Sequence, residues 1–304
     1  MGRAEHPLDA VIELVPELRG AIEVSPLTGG LTNANYKVRS SAGTFVLRRW
    51  SDNTGLLAID RDNEYENSVR AAEVGVGAPV TAYLPSHNTL VIEFLPGRTL
   101  SSAVLRQGGR MEALAAACRR LHSARAFRDD FDMFAIQSRY RALVEQRGFR
   151  LPARYDHYAG HVAAIATALR VRAEAVVPCH NDLMAENLLE LDGRLRVIDY
   201  EYSGNNEPSF ELGNVWSESD LSPEALEQLV TAYWGAALRH KVARARLWGL
   251  MAKYGWTLWA SIQDGVSPLD FDFWGFGMEK YERAVAEFDG PDFERLLADA
   301  GRAD

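Results

Sequence analysis

The chain has 304 residues, 47% of them hydrophobic, and a formal net charge of −9. That is enough apolar material for two lobes with separate cores, and it excludes wholesale disorder. The acidic balance excludes a broad nucleic-acid or anionic-membrane surface, which needs clustered Lys and Arg, so a bound polyphosphate requires a locally basic or metal-assisted site.

In chain order, Met1-Gly2-Arg3-Ala4-Glu5-His6-Pro7 carries no apolar signal core, and His6 stands where a myristoylation signal at Gly2 needs Ser or Thr. An amphipathic helix is predicted over 8–19. Strands follow over 22–27, 35–39 and 44–50, the last two joined by a Ser40-Ser41-Ala42-Gly43 turn. A helix over 59–74 ends at the Gly75-Val76-Gly77-Ala78-Pro79 breaker, and strands over 80–84 and 90–94 surround a polar turn. Leu95-Pro96-Gly97 then punctuates the chain. Beyond it, helices are predicted over 99–106, 110–123, 136–147, 156–172, 222–238, 241–264 and 274–288. A strand-rich first third and a helix-rich remainder predict an α+β, two-lobed architecture: residues 1–95 as a nucleotide-binding lobe, 96–304 as a helical lobe, and a ligand cleft between them. No apolar run approaches the roughly 18 residues of a membrane span, so a cytoplasmic protein without membrane insertion is expected. Two cysteines, Cys118 and Cys179, are too few for a disulfide framework. Cys179 has no evident base beside it and reads as a buried thiol.

The densest chemistry is in Cys179-His180-Asn181-Asp182-Leu183-Met184-Ala185-Glu186-Asn187, followed by Asp199. Between Asn187 and Asp199 two apolar runs flank Asp192-Gly193, a pair that favours a tight reversal, so a hairpin should return Asp199 beside Asn187. An acid to accept or orient a hydroxyl proton, with an amide and a second acid to hold Mg²⁺, is the set that phosphoryl transfer on a kinase-type fold requires. That assigns Asp182, Asn187 and Asp199 to catalysis, with Asn187 and Asp199 as metal ligands; His180 is expected to be a structural hydrogen-bonder. Chance acids on a surface loop would not fall into this register.

Other candidates are weaker on their own. Gly29, Gly30, Thr32 and Asn33, between the first two strands, can bring backbone amides and side-chain donors to phosphates, but a plain hairpin turn accounts for the glycines as well. Arg48, on the strand face of Val46, can pair with phosphates and be oriented by Glu64, or it can be a solvated edge arginine. Glu93 and Leu95 can offer backbone groups to adenine, as any strand exit can. Trp256 and Trp259 share a helix face, where core packing is the simplest account. Aromatic faces near carboxylates also bind quaternary ammonium.

Taken together, the segments resemble the choline/ethanolamine kinase family, within the aminoglycoside-phosphotransferase-like group of kinase folds. The resemblance covers about residues 20–285, in a compact bacterial form, and it is strongest in Cys179–Asn187, Ile198-Asp199-Tyr200-Glu201-Tyr202, Phe210-Glu211-Leu212-Gly213-Asn214 and Trp256-Thr257-Leu258-Trp259. It implies ATP and Mg²⁺ as cofactors, a phosphate role for Arg48 with Glu64, and a choline pocket of Glu201, Tyr202, Glu218, Trp256 and Trp259. Aromatics between Phe273 and Tyr281 would close that pocket. The expected activity is phosphorylation of choline or ethanolamine. The alternatives are another acceptor on the same fold (an aminoglycoside, thiamine or a sugar) and a non-catalytic choline-binding protein.

Overall fold

The computed structural model describes residues 8–28, 30–107 and 109–302, apart from the side chains of 52–54. Gly29 of the glycine loop lies outside the described residues.

A short helix α1 (Asp9–Leu14) precedes a five-stranded antiparallel sheet formed by β1 (Glu23–Leu27), β2 (Asn33–Arg39), β3 (Thr44–Trp50), β4 (Val80–Leu84) and β5 (Thr89–Glu93), in the order β1-β2-β3-β5-β4. Alternation along β3 puts Phe45 and Leu47 into a core with Leu8, Val11 and Leu18, and turns Val46 and Arg48 to the opposite face. Between β3 and β4 runs α2 (Arg61–Glu73), started by Asp60, whose carboxylate accepts from the Asn63 amide at 3.0 Å. This helix holds Glu64 behind the sheet, 1% exposed.

The remainder contains β6 (Arg98–Thr99), α3 (Ser102–Arg106), α4 (Met111–His122), α5 (Met133–Arg147), α6 (Ala159–Val171), β7 (Val177–Cys179), β8 (Leu188–Leu191), β9 (Arg194–Val197), β10 (Gly204–Asn206), α7 (Pro208–Glu218), α8 (Pro223–Trp234), α9 (Arg239–Val266), α10 (Phe273–Phe288) and α11 (Phe293–Ala300). Its axis is α9, 28 residues long and buried along most of its length among α5, α7, α10 and α11. Where α7 crosses α9, Gly213 and Gly249 face each other; a Cβ on Gly213 would run into the carbonyl of Ala245, so the crossing requires glycine.

Several expected elements shift. The segment 99–106 is not one helix: Arg98 and Thr99 pair with Glu190 and Leu189, and the helix begins after Ser101, whose hydroxyl caps Val104. The helix expected over 136–147 starts at Met133, because the Asp132 carboxylate accepts from the amides of Phe134 and Ala135. Helices α7 and α11 were not expected. Almost every residue of α7 is buried, so it has no polar face and no helical period to detect.

Candidate active site

A cleft of about 810 Å³ runs between the sheet and the helices. Gly30, Thr32, Asn33, Arg48, Glu93 and Leu95 line it from the sheet side. Asp182, Asn187, Asp199, Glu201, Tyr202, Glu218, Trp256 and Trp259 line it from the other side. Glu64 stands one layer back, against Arg48. A second cavity, about 450 Å³ around Arg172, Trp234 and Lys241, contains none of these residues.

The loop after β7 is fixed from beneath. The buried Glu211 carboxylate of α7 accepts from the His180 amide at 2.8 Å and the Asn181 amide at 2.9 Å. Asn181 is held at φ 64°, with its side chain donating to the carbonyls of Cys179, Tyr202 and Gly204. A non-glycine residue stays in that region only where its surroundings enforce it, and this one presents Asp182 to the cleft. His180 bonds the Ile198 carbonyl at 2.9 Å, and burial pushes its pKa down, so it remains a neutral brace. Contrary to expectation, a base does lie beside Cys179: His122 Nε2 is 3.7 Å from its sulfur. Both are buried, and burial pushes the thiol pKa up, which leaves Cys179 structural.

The hairpin closes as its turn chemistry requires. Asp192 and Gly193 take φ of 50° and 71° at the reversal, β8 pairs with β9, and the Ile198 amide donates to the Asn187 carbonyl at 3.0 Å. Asp199 therefore stands beside Asn187, itself at φ 72°. The Asn187 side-chain amide donates to the Asp182 carbonyl at 3.0 Å, tying the two ends of the loop together.

Arg48 meets Asp199 at 2.5 Å and Glu64 at 3.2 Å. A second arginine, Arg61, extends the network to Glu64 at 2.5 Å, Glu201 at 3.2 Å and the Asn33 side-chain oxygen at 2.9 Å. Asn33 in turn donates to Glu201 at 2.9 Å, so its side-chain amide is committed to a carboxylate. Burial pushes Asp199 up, but Arg48 beside it outweighs burial and leaves the carboxyl below its ordinary range. Glu201 goes the other way: burial, reinforced by Asp199, raises it to about 7 despite Arg61. Asp182 is also raised well above the ordinary range, by burial first and then by Glu218, Asp199 and Glu201. Gly30 is needed in the loop above: a Cβ there would lie 2.7 Å from the Asn33 carbonyl. The Glu93 amide is already bonded to Pro79 at 2.9 Å, so it is not a free donor for a base.

The far end of the cleft is aromatic. Tyr202 meets Trp256 edge-on at 4.9 Å, and Trp256 donates to Asn214 at 3.4 Å. Trp259 packs against Phe273 at 5.9 Å and Phe276 at 6.3 Å. Of the residues expected to close the pocket, only Phe276 lines it, joined by Phe271 from the preceding loop. Phe273 is buried behind Trp259, Trp274 lies under Arg150 at 3.9 Å, and Tyr281 stacks on Tyr155 in the core. Among the charged residues at the cleft that the sequence reading gave no role are Arg61 and Lys280. Arg61 opens a helix as an ordinary surface arginine would, and Lys280, which forms an ion pair with Glu218, sits among aromatics that drew attention away from it.

The family model for choline/ethanolamine kinases matches residues 24–226. Protein LicA of Haemophilus influenzae is 28% identical over 258 residues, 78% of this chain and 72% of that protein. Human ethanolamine kinase 2 is 24% identical over 312 residues, covering 91% of this chain and 80% of that one. A solved choline/ethanolamine kinase family protein from Mesorhizobium loti superposes with a TM-score of 0.84 at 27% identity, over 97% of this chain and 99% of its own. The small antiparallel sheet over a helical body is the two-lobed kinase-like fold of these enzymes. With the model covering two thirds of its length, the chain belongs to the choline/ethanolamine kinase family.

Proposed function

We propose that this protein transfers the γ-phosphoryl group of ATP, with Mg²⁺, to the hydroxyl of choline or of ethanolamine, in the cytoplasm. The lobes divide at residues 95–97, the nucleotide lying under the Gly30 loop and the acceptor against the aromatic end. One observation carries the reading: Asp182 faces the same cleft as the Asn187–Asp199 pair and the Trp256, Trp259 and Tyr202 cluster.

Asp182 orients the acceptor hydroxyl and takes its proton. Its raised pKa suits a base that must hold a proton once the oxygen has lost it. Asn187 and Asp199 offer hard oxygen atoms from adjacent backbone positions, a donor set that fits Mg²⁺. The bond from the Asn187 amide to Asp182 fixes its plane and leaves the oxygen as the ligating atom. Bound there, the ion would neutralise charge on the phosphate oxygens. Arg48 reaches the same region and can release Asp199 for the phosphates while staying oriented by Glu64.

The tryptophan faces suit a trimethylammonium, each contact contributing about 0.5–2 kcal/mol. A specific observation also favours ethanolamine: among the described residues the buried Glu218 Oε1 atom has no hydrogen-bond partner, and a primary ammonium can donate to it while a quaternary one cannot. Steady-state ADP release with choline, ethanolamine, thiamine and kanamycin in parallel tests the proposal. Turnover of choline or ethanolamine supports it; turnover of kanamycin or thiamine alone overturns it.

A further inference from the structure

Lys280 has no part in the reaction described above, yet it lines the cleft beside Asp182, Glu218 and Trp259. It is 7% exposed, pairs through Nζ with Glu218 Oε2, and lies 4.4 Å from the centre of the Phe276 ring. Glu218 is the carboxylate at the aromatic end, since Glu201 is engaged by Arg61 and Asn33. Lys280 and Glu218 are 62 positions apart, on α10 and α7, so their contact is a product of the fold.

An ammonium already bound to that carboxylate cancels most of the field a cationic acceptor would feel. A second cation approaching Oε1 must either displace the first or share the carboxylate with it, against a repulsion that is strong in a partly dry cleft. An uncharged acceptor of the same shape meets no such opposition. We infer that Lys280 is a specificity-determining residue, a resident cation that competes with the acceptor's ammonium for Glu218 and weakens binding of charged acceptors relative to neutral ones. The inference rests on the amino-alcohol reading of the cleft.

The test compares choline with 3,3-dimethylbutan-1-ol, its uncharged isostere, in the wild type, Lys280→Met and Lys280→Arg. In Lys280→Met the KM for choline should fall about tenfold, as loss of one like charge at short range implies, while the inhibition constant of the isostere stays within about twofold. Lys280→Arg, which keeps the charge, should resemble the wild type. Should Lys280→Met fail to fold, Lys280→Gln gives the same comparison through calorimetric binding of choline and of the isostere. A KM for choline that is unchanged or raised, or an equal change for both compounds, would overturn the role of Lys280 alone. A wild type that phosphorylates neither choline nor ethanolamine would overturn this inference together with the amino-alcohol reading.

Discussion

The two ends of the cleft solve different problems with different materials. At the sheet end, Arg48, Arg61, Glu64, Asp199 and Glu201 form one ion network in which every carboxylate meets an arginine. At the helical end, tryptophans and phenylalanines surround an ion pair, Glu218 with Lys280, and the Trp259 indole nitrogen and Glu218 Oε1 are buried without partners among the described residues. The ion network orders the charged groups at the sheet end, although Arg48 Nε and Arg61 Nε lack partners among the described residues; at the helical end an incoming molecule can supply the bonds that Glu218 Oε1 and the Trp259 indole lack. Under the proposed function the charged end serves the reaction and the aromatic end serves recognition.

If that division is right, substitutions at the two ends should separate rate from acceptor affinity. The largest effect is expected for Asp182→Ala, which should lower kcat by about 10²–10⁴ while calorimetry shows choline still binding. Asp182→Asn should be equally inactive and yet melt at a higher temperature than the wild type. The sign follows from the raised carboxyl: the folded state binds more protons than the unfolded chain above the ordinary Asp pKa, so ionised Asp182 costs stability as pH rises, and a neutral amide removes that cost.

Arg48→Met comes next. It leaves Asp199 without an arginine and Glu64 with Arg61 alone, and denaturant melts should record a loss of about 3–5 kcal/mol together with a raised KM for ATP. At the other end, Trp256→Ala should raise KM for choline about tenfold and leave KM for ATP nearly unchanged; equal effects on both would make Trp256 a packing residue and erase the contrast. The smallest effect is in the pH profile. Because Asp182 must be ionised to accept a proton, kcat/KM should fall on the acid side at a pH above the ordinary carboxylate range, and this limb should persist in Trp256→Ala.

The same contrast explains what the sequence made legible. Asp182, Asn187 and Asp199 are bound by local chemistry: a strained loop residue, an Asp192-Gly193 reversal and a short hairpin place them, and all of that is written within one segment. Strand alternation left Arg48 open between a partner of Glu64 and a solvated edge arginine; the fold buries it against Glu64. The aromatic end depends on α7, α9 and α10 meeting, and α7 is buried on every side, so no periodic pattern announced it. Lys280 was invisible for that reason, and Trp274 and Tyr281, which look like pocket aromatics in the sequence, turn out to face Arg150 and Tyr155. Arg61 was missed because a basic residue at a helix start is common, and only the fold brings Glu201 and Asn33 to it.

The most direct measurement is a one-pot competition. The protein is incubated with ATP, Mg²⁺ and equal amounts of choline, ethanolamine and kanamycin, and the products are resolved by ³¹P NMR. The account predicts an amino-alcohol phosphomonoester as the main product, absent with Asp182→Asn. Phosphorylated kanamycin as the main product, or an amino-alcohol phosphate that persists with Asp182→Asn, would contradict it.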